Sequence, residues 1–558
     1  MGVTQILDTG KQALFAQQKG IQVAGQNISN VNTPGYSRER AHFVAAETSQ
    51  SGQFNFGVSV DEVTRVFNHF LTNQVNVATT NFSSAQTQSD QLRQVESLFN
   101  DLNQDEAGLS ATLNRFFDTF QDLASNPQGF PERTLVQTQG ETLVKLFNNL
   151  GTELDTIDRN VNQSLTDELG QINVITGQIA ELNAQIQKLE ANPLDHANTL
   201  RDERDVALKQ LAERLPITSF ETKDGSVTVL LAGGRPLVEG ASPTTLVTGT
   251  EPDNPTAVTI QMKNSQGALR DVTASISSGK LHGLLNFRDT FLAQVSSKFD
   301  RLAAQLISSV NQIHSNGYGL DGSTGNLFFT PRQVTAQSSS ENTGGATVQS
   351  VSVFDPTQLK IDDYQVKFAM DGPPPTFDVV NTTSGATVLA GQSYTAGNKI
   401  YFDGIELVLS DTGSPPKKDD VFLIKTTENA AITMALDADV QNDIRKIAAG
   451  QSPLPGDNAN GLAIAELRNS KLIEGSTLGD FYTALVSDIG LDMQDTTTLA
   501  DHHELLLNEA ENQRESLSGV SLEEEQLDLI RFQQAFQAAA RLIQVADEMT
   551  DTVVNLIR

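Results

Sequence analysis

Apolar residues recur every seven positions at both ends of the chain. Near the start, Leu7, Leu14, Ile21 and Ile28 form one column, and Val3, Gly10, Gln17, Ala24 and Val31 form a second, three positions on. At the far end Leu522, Leu529, Phe536, Ile543, Thr550 and Ile557 are accompanied by Phe532, Ala539, Ala546 and Val553. This is the a/d spacing of a coiled-coil seam, although an ordinary amphipathic core helix produces the same spacing over so few turns. Neither stripe is wide enough to bury itself. Each terminal helix therefore needs a partner helix, in the same chain or another.

The first helix is expected to stop near Asn30. Asn27, Asn30 and Asn32 bond readily to their own backbone and tolerate left-handed conformations, Thr33 is pushed extended by Pro34, and Pro34-Gly35 suits a type II turn. Beyond the turn, Phe54, Phe56, Val58 and Val60 alternate with polar residues as a strand or extended arm. Helices are predicted from Phe70 to about Leu102 and from Leu109 to Ala124. The latter is aromatic on one face through Phe116, Phe117 and Phe120. Leu165, Ile172, Ile179 and Ile186 with Ile175, Leu182 and Leu189 make the cleanest heptad, ending at Asn192-Pro193, and a helix from Leu200 to Leu215 should fold back on it.

The period changes to that of strands over 217–276, returns to helix from Leu281 to Ile313, passes a polar linker from Gln333 to Gly345, and becomes strand-like again to about Thr427. Short strands are expected at 348–354, 364–370, 376–380, 399–402, 405–409 and 421–425. Helical signal resumes at Ala430, and Gly456-Asp457-Asn458 should cap a further helix. If the two ends pair and the helices just inside them pair next, the strand-rich blocks must be insertions at the far end. The expected fold is thus α+β, multidomain and elongated, with paired terminal coiled-coil helices, a long helical bundle and inserted β-rich outer parts. The divisions are 1–60 plus 516–558, 61–216 plus 277–332 plus 428–515, 217–276, and 333–427.

At 558 residues the chain is too long for one core. Its 38 Lys and Arg against 69 Asp and Glu give a formal charge of -31, which repels phosphate backbones and anionic membranes, so neither nucleic acid nor membrane is an expected partner. Cysteine is absent, which removes disulfides, thiolate metal sites and cysteine nucleophiles. The first 20 residues lack a basic stretch followed by an apolar one, and no run approaches ~18 apolar residues.

Candidate chemistry is sparse. Gly317-Tyr318-Gly319-Leu320-Asp321-Gly322 satisfies G-x-G-x-x-G only as text, because a helix precedes it where a strand is required. The seven histidines are scattered except for His502-His503, and no His-Glu-x-x-His occurs. Arg201, Asp202, Arg204 and Asp205 read as an exposed, mutually paired helical face. Glu523-Glu524-Glu525 reads as a helix start favoured by the macrodipole. No catalytic, metal-binding or cofactor-binding residue is expected.

The run from Gln26 to Arg38, with Asn27-Ile28-Ser29-Asn30, Asn32, Thr33-Pro34-Gly35-Tyr36 and Ser37-Arg38, resembles the N-terminal signature of the rod, hook and hook-associated axial proteins of the bacterial flagellum. The C-terminal runs Gly519 to Leu522, Phe532 to Arg541 and Ala546 to Met549 are similar to the matching end of the hook-associated members, as are Gly279 to Asp289 and Gly317 to Gly322. The resemblance implies a structural, non-enzymatic subunit that joins hook to filament and templates filament assembly through paired terminal helices. It implies copies of itself in a ring, hook protein, the next hook-associated protein or flagellin, and an export chaperone as partners. It also implies export to the flagellum, outside the cell, without a cleaved signal. Asn27, Ile28, Asn30, Asn32, Pro34, Gly35, Tyr36 and Arg38 are the implied assembly motif, and the two heptad columns the implied seam. Another hook or rod subunit is the alternative, followed by a secreted enzyme or adhesin on an axial scaffold with its function in the β blocks.

Overall fold

The computed structural model describes residues 3–45, 57–100, 108–191, 196–251, 254–264, 266–356 and 358–557. Phe54, Phe56, Leu102 and Asn192-Pro193 lie outside them. The chain opens with α1 (Val3–Ser29), crosses an antiparallel hairpin of β1 (Glu39–Ala45) and β2 (Val58–Arg65), and enters α2 (His69–Asn100) and α3 (Leu109–Ser125). Next comes α4 (Phe130–Leu189), 60 residues long and so about 90 Å at 1.5 Å per residue. The clean heptad marks only its second half; Pro131 in its first turn supplies a start signal that heptad spacing alone overlooks. The predicted seam residues Leu165, Ile172, Ile175, Ile179, Leu182 and Ile186 are all buried, with α5 (Asn198–Arg214) packed against α4.

Two small antiparallel sheets follow. One orders β3 (Ile217–Glu221), β4 (Val227–Leu231), β5 (Arg235–Glu239) and β6 (Ser242–Pro243). The other orders β7 (Thr245–Glu251), β8 (Asn254–Lys263) and β9 (Leu269–Asp271). Val229, Leu231, Leu237 and Ile260 join the same hydrophobic cluster as the helices, so this segment extends the bundle core instead of forming its own. α6 (Gly279–Asn286) continues through a π-helical turn (Phe287–Leu292) into α7 (Ala293–His314), a break in period that the unbroken apolar pattern from Leu281 did not reveal.

Beyond α7 the chain builds a unit with a separate core. β10 (Thr335–Ser338), β11 (Ala346–Val353), β12 (Tyr364–Met370), β13 (Thr376–Asn381), β14 (Thr387–Ser393), β15 (Lys399–Phe402), β16 (Ile405–Asp411) and β17 (Val421–Lys425) form two antiparallel sheets ordered β10-β17-β12-β13-β14 and β11-β16-β15. Tyr364, Val366, Phe368, Val379, Leu407, Leu409 and Phe422 fill the space between them. β10 and β14 were not expected from sequence. Both are edge strands; β10 is mostly polar, and β14 runs Val388-Leu389-Ala390-Gly391 without a polar residue between, so neither alternates with period 2.

The chain then returns through α8 (Ala430–Thr433), α9 (Ala438–Asn442) and α10 (Ala459–Glu466) to two long helices, α11 (Leu478–Ser518) and α12 (Leu522–Ile557). Asp457, one residue before the N-cap Asn458, supplies the side-chain acceptor for the Ala459 amide. α11 packs on α2, and α12 on α1, so the nesting expected from sequence is the observed order of pairing. Among the described residues no helix is long and apolar enough to cross a membrane. The aromatic face of α3 lies in the bundle core, where Phe116 and Phe120 each approach Phe328 with centroids 5.5 Å apart. The Gly317 to Gly322 loop follows α7 and bridges to Gly450; a Cβ on Gly317 would lie 2.2 Å from Asn460 Nδ2, so its glycine serves close packing.

His314 is fully buried where this loop meets the returning chain. Its Nε2 accepts from the Ala448 amide at 2.9 Å, leaving Nδ1 to donate to the Asn326 carbonyl at 2.8 Å, and burial pushes its pKa down to about 4. A histidine depressed in the folded state stabilises fully above its unfolded pKa of about 6.5 and loses that contribution as pH falls toward 4. The stability difference between the parent chain and His314→Gln, from urea unfolding, should therefore be largest at pH 7. It should shrink by roughly 2 to 3 kcal/mol as pH approaches 4, and a difference independent of pH would refute the neutral-histidine assignment.

Candidate functional site

The two ends of the chain form an antiparallel pair. Asn27 Nδ2 donates to Glu525 Oε2 at 3.0 Å, Gly20 underlies the Phe532 ring, and Gly10 underlies Ile543, so α1 descends as α12 ascends. A Cβ on Gly20 would meet three Phe532 ring carbons at 3.0 Å, and one on Gly10 would meet Ile543 Cγ1 at 2.7 Å. The buried positions of α1 are Gly10, Ala16, Gly20, Val23, Ala24 and Asn27. These small residues let the helix axes approach and receive the large side chains of α12.

That face is only partly the expected one: Gly10 and Ala24 belong to the expected second column, but the first column lies to one side. Leu7, Leu14, Ile21 and Ile28 are only half-buried at its flank, because a hydrophobicity pattern weights bulk whereas this pairing face is chosen for small size. On α12, Ala539 and Ala546 are buried and Leu529, Phe532, Phe536 and Ile543 half-buried along the same side. Leu522 and Val553, expected in the seam, are exposed; they lie at the two ends of α12, where the pairing runs out. The first inward position of this seam is instead Glu525, 3% exposed.

Glu525 is where the pair is joined to the turn. Asn30 Nδ2 bonds the Gln26 carbonyl and Thr33 Oγ1 bonds Asn30 Oδ1, which closes the end of α1. Gly35 then adopts φ 81, and the chain doubles back so that Tyr36, Arg38 and Glu39 meet Asn27. Asn27 Oδ1 accepts from the Tyr36 hydroxyl at 2.8 Å and the Glu39 amide at 2.9 Å, while Nδ2 donates to the Glu39 carbonyl at 2.9 Å as well as to Glu525. Every donor and acceptor of this buried amide is used. Arg38 completes the link, its Nε to Glu525 Oε1 and its Nη1 to Glu524 Oε2, both at 2.7 Å. Burial opposes its charge, but the two carboxylates outweigh that and hold it protonated. Burial, with Glu39, Asp202 and Glu525 nearby, raises the Tyr36 phenol so that it remains a neutral donor. Asn32 and Pro34 are exposed at the tip of the turn.

The same turn grips the bundle. The Ser37 amide donates to Asp202 Oδ2 at 3.2 Å, and the Arg38 amide to the Ser518 carbonyl at the end of α11 at 3.0 Å. Arg65, at the end of β2, reaches Asp202 at 2.6 Å and Asp205 at 2.8 Å. The cluster on α5 is thus not an exposed, self-paired face. Arg201 binds Glu190 at 2.8 Å and Glu221 at 2.7 Å, and the buried Arg204 donates to Asn183 Oδ1 and the Gly225 carbonyl. All these partners are distant in sequence, which is why local spacing misassigned the cluster.

The sequence matches three family models: "Flagellar hook-associated protein FlgK helical domain" over residues 92–329, "Flagellar basal body rod FlgEFG protein C-terminal" over 512–556, and "Flagella basal body rod protein" over 7–36. The second and third fall on the two helices just described. Along its length the chain is 29% identical to flagellar hook-associated protein 1 of Salmonella typhimurium, covering 99% of this chain and 100% of that protein. The likeness is to the flagellar hook-associated protein 1 family, along the whole chain. The family's Bacillus subtilis member is 24% identical over 98% of this chain and 97% of its own length. The fold is that of the flagellar hook junction protein FlgK from Burkholderia pseudomallei, with a TM-score of 0.66 at 22% identity over 80% of this chain and 100% of that one.

Gly35 tests the junction. A Cβ there would sit 2.2 Å from Val206 Cγ2 on α5, at a φ that costs a non-glycine residue about 1 kcal/mol or more, whereas a Cβ on Gly25 meets nothing within 4 Å. Gly35→Ala should lower hydrogen-exchange protection of the Ser37 and Arg38 amides at least tenfold. Gly25→Ala should leave it unchanged, and equal protection in both variants would mean the turn does not hold α5.

Proposed function

We propose that this chain is a structural subunit of the flagellar axis, joining hook to filament. It is exported to the flagellum, outside the cell, and assembles with the hook and other axial components. The observation that carries the finer reading is the second apolar face of α12. At about 100° per residue, Leu527, Ile530 and Val545 project away from Glu525, Phe532, Ala539 and Ala546, with Met549 at their edge, and all four are exposed. Phe15 is likewise exposed on α1. One face of each terminal helix is used within the chain, and the other is left for neighbouring copies in a ring, with burial worth ~1.5 to 3 kcal/mol for each large side chain covered. An export chaperone would shield the same surface before assembly.

In this reading residues 1–60 plus 516–558 are the assembling core, 61–216, 277–332 and 428–515 the rigid bundle, 217–276 its β extension, and 333–427 an outer unit. The motif Asn27 to Arg38 fixes the angle between core and bundle, and the role is structural, not catalytic.

Two substitutions separate pairing from assembly. Ile543→Asp places a carboxylate over Gly10 and should loosen the pair itself. Val545→Glu, at a side chain 53% exposed, should leave the melting temperature of the monomer unchanged. Both should yield cells that build hooks, fail to retain filaments and release filament subunits into the medium. Normal filaments in Val545→Glu cells would remove the second face from the interface.

A further inference from the structure

The outer sheet unit and the bundle have separate cores and are joined by two adjacent segments of chain, 330–335 and 425–431. The incoming segment is fixed to the bundle by the Thr330 amide on the Ala435 carbonyl and to the outer unit by Arg332, which donates to the carbonyls of Thr426, Leu359 and Lys360. The outgoing segment is held by two carboxylates, one from each body. Asp363 of the outer unit accepts from the Thr426 amide at 3.1 Å, and Asp300 on α7 accepts from the amides of Asn429 and Ala431, both at 2.9 Å. Asn429 between them has φ 58, a conformation in which a chain reverses abruptly.

Beside this neck opens a cleft of about 650 Å³ between the two bodies. Its walls carry Asp155 and Asp158 from α4, Arg288 and Asp289 from the π-helical turn, Asp300 from α7, Glu251 from β7, and Asp363, Lys425 and Glu428 from the outer unit and its outgoing segment. Seven carboxylates thus face two cations. Arg288 is already engaged with Asp289, Asn162 and the Val258 carbonyl, and Lys425 with Glu428.

We propose that this cleft is a charge-operated joint, in which the outer unit swings about the neck, held against the bundle when the cleft carboxylates are protonated and released when they ionise. Burial raises Asp300 to about 6, the Ala431 and Asn429 amides offsetting this in part and Glu428 adding to it; burial likewise raises Asp158 and Asp363. In the open form these groups meet water and regain ordinary values near 3.8. A carboxyl that binds its proton more tightly closed than open favours closure in acid. That stabilisation is complete below about 3.8 and is lost as pH rises through about 6, changing the closed-to-open ratio by up to about a hundredfold.

The absence of cysteine makes the test direct. Dyes on Lys145→Cys in α4 and Ala396→Cys in the outer unit, both exposed, report the angle between the bodies of the full chain by single-molecule energy transfer. A narrow distribution at pH 5 should broaden and shift by pH 8 with a midpoint near 6. Asp363→Asn, whose remaining oxygen still accepts from the Thr426 amide, and Asp158→Asn, which leaves the neck untouched, should each reduce the amplitude of the shift and retain part of the closed distribution at pH 8. A flat profile in the parent chain, or a transition of unchanged midpoint and amplitude in both Asp363→Asn and Asp158→Asn, overturns the joint.

Discussion

The fold depends on one hydrogen bond between the two ends of the chain: Asn27 and Glu525, 498 residues apart, meeting inside a helix pair. Closing a flexible loop of that length costs on the order of 5 kcal/mol in chain entropy, more than a hydrogen bond of this kind returns. The nesting removes most of the cost. Once α2 and α11 are packed, α1 is tethered a few tens of residues from α2 and α12 only the three residues Gly519 to Ser521 from α11, so the ends meet as near neighbours. The bundle must therefore form before the terminal pair.

Given that order, the chemistry of the junction is what a late, weakly driven contact needs. The α1 face is small and the seam of α12 partly exposed, so apolar burial alone specifies the register poorly. A buried amide with all its bonds made, bound to a buried carboxylate that also meets an arginine, specifies it well, since any slip leaves Glu525 unpaired in an apolar interface. The Ser37 and Arg38 amides then transmit that register to α5 and α11, so the direction of the terminal pair relative to the bundle is set by the same few side chains.

Sequence periodicity located both terminal helices, the end of α1 near Asn30, the second half of α4 and six of the eight outer strands, because each of these is decided by local pattern. It misplaced what depends on a partner far away. The pairing face of α1 was centred on Leu7, Leu14 and Ile21, whereas burial falls on Gly10 and Ala24 of the second column together with Ala16 and Gly20, because large apolar residues dominate any such pattern while close helix approach selects small ones. Glu525 was read as a helix-start acid although it occupies a seam position, and that position, a charge where the heptad asks for an apolar residue, was the available signal. Arg204 and Asp202 gave no signal, since their partners come from a β-turn, the end of β2 and the signature turn.

The chain's two junctions obey opposite electrostatic rules. At the inner one each carboxylate of Glu525, Asp202 and Asp205 faces an arginine, so ionisation binds the parts together at neutral pH. At the outer one carboxylates face carboxylates across a cleft with two cations already engaged, and ionisation drives the walls apart. A net charge of -31 could have been spread evenly. Its matching at one joint and accumulation at the other divides the molecule into an inner part whose geometry is fixed and an outer part free to turn. Only the inner part carries the helix faces that neighbouring copies would bury, so motion of the outer sheets leaves the assembling surface undisturbed.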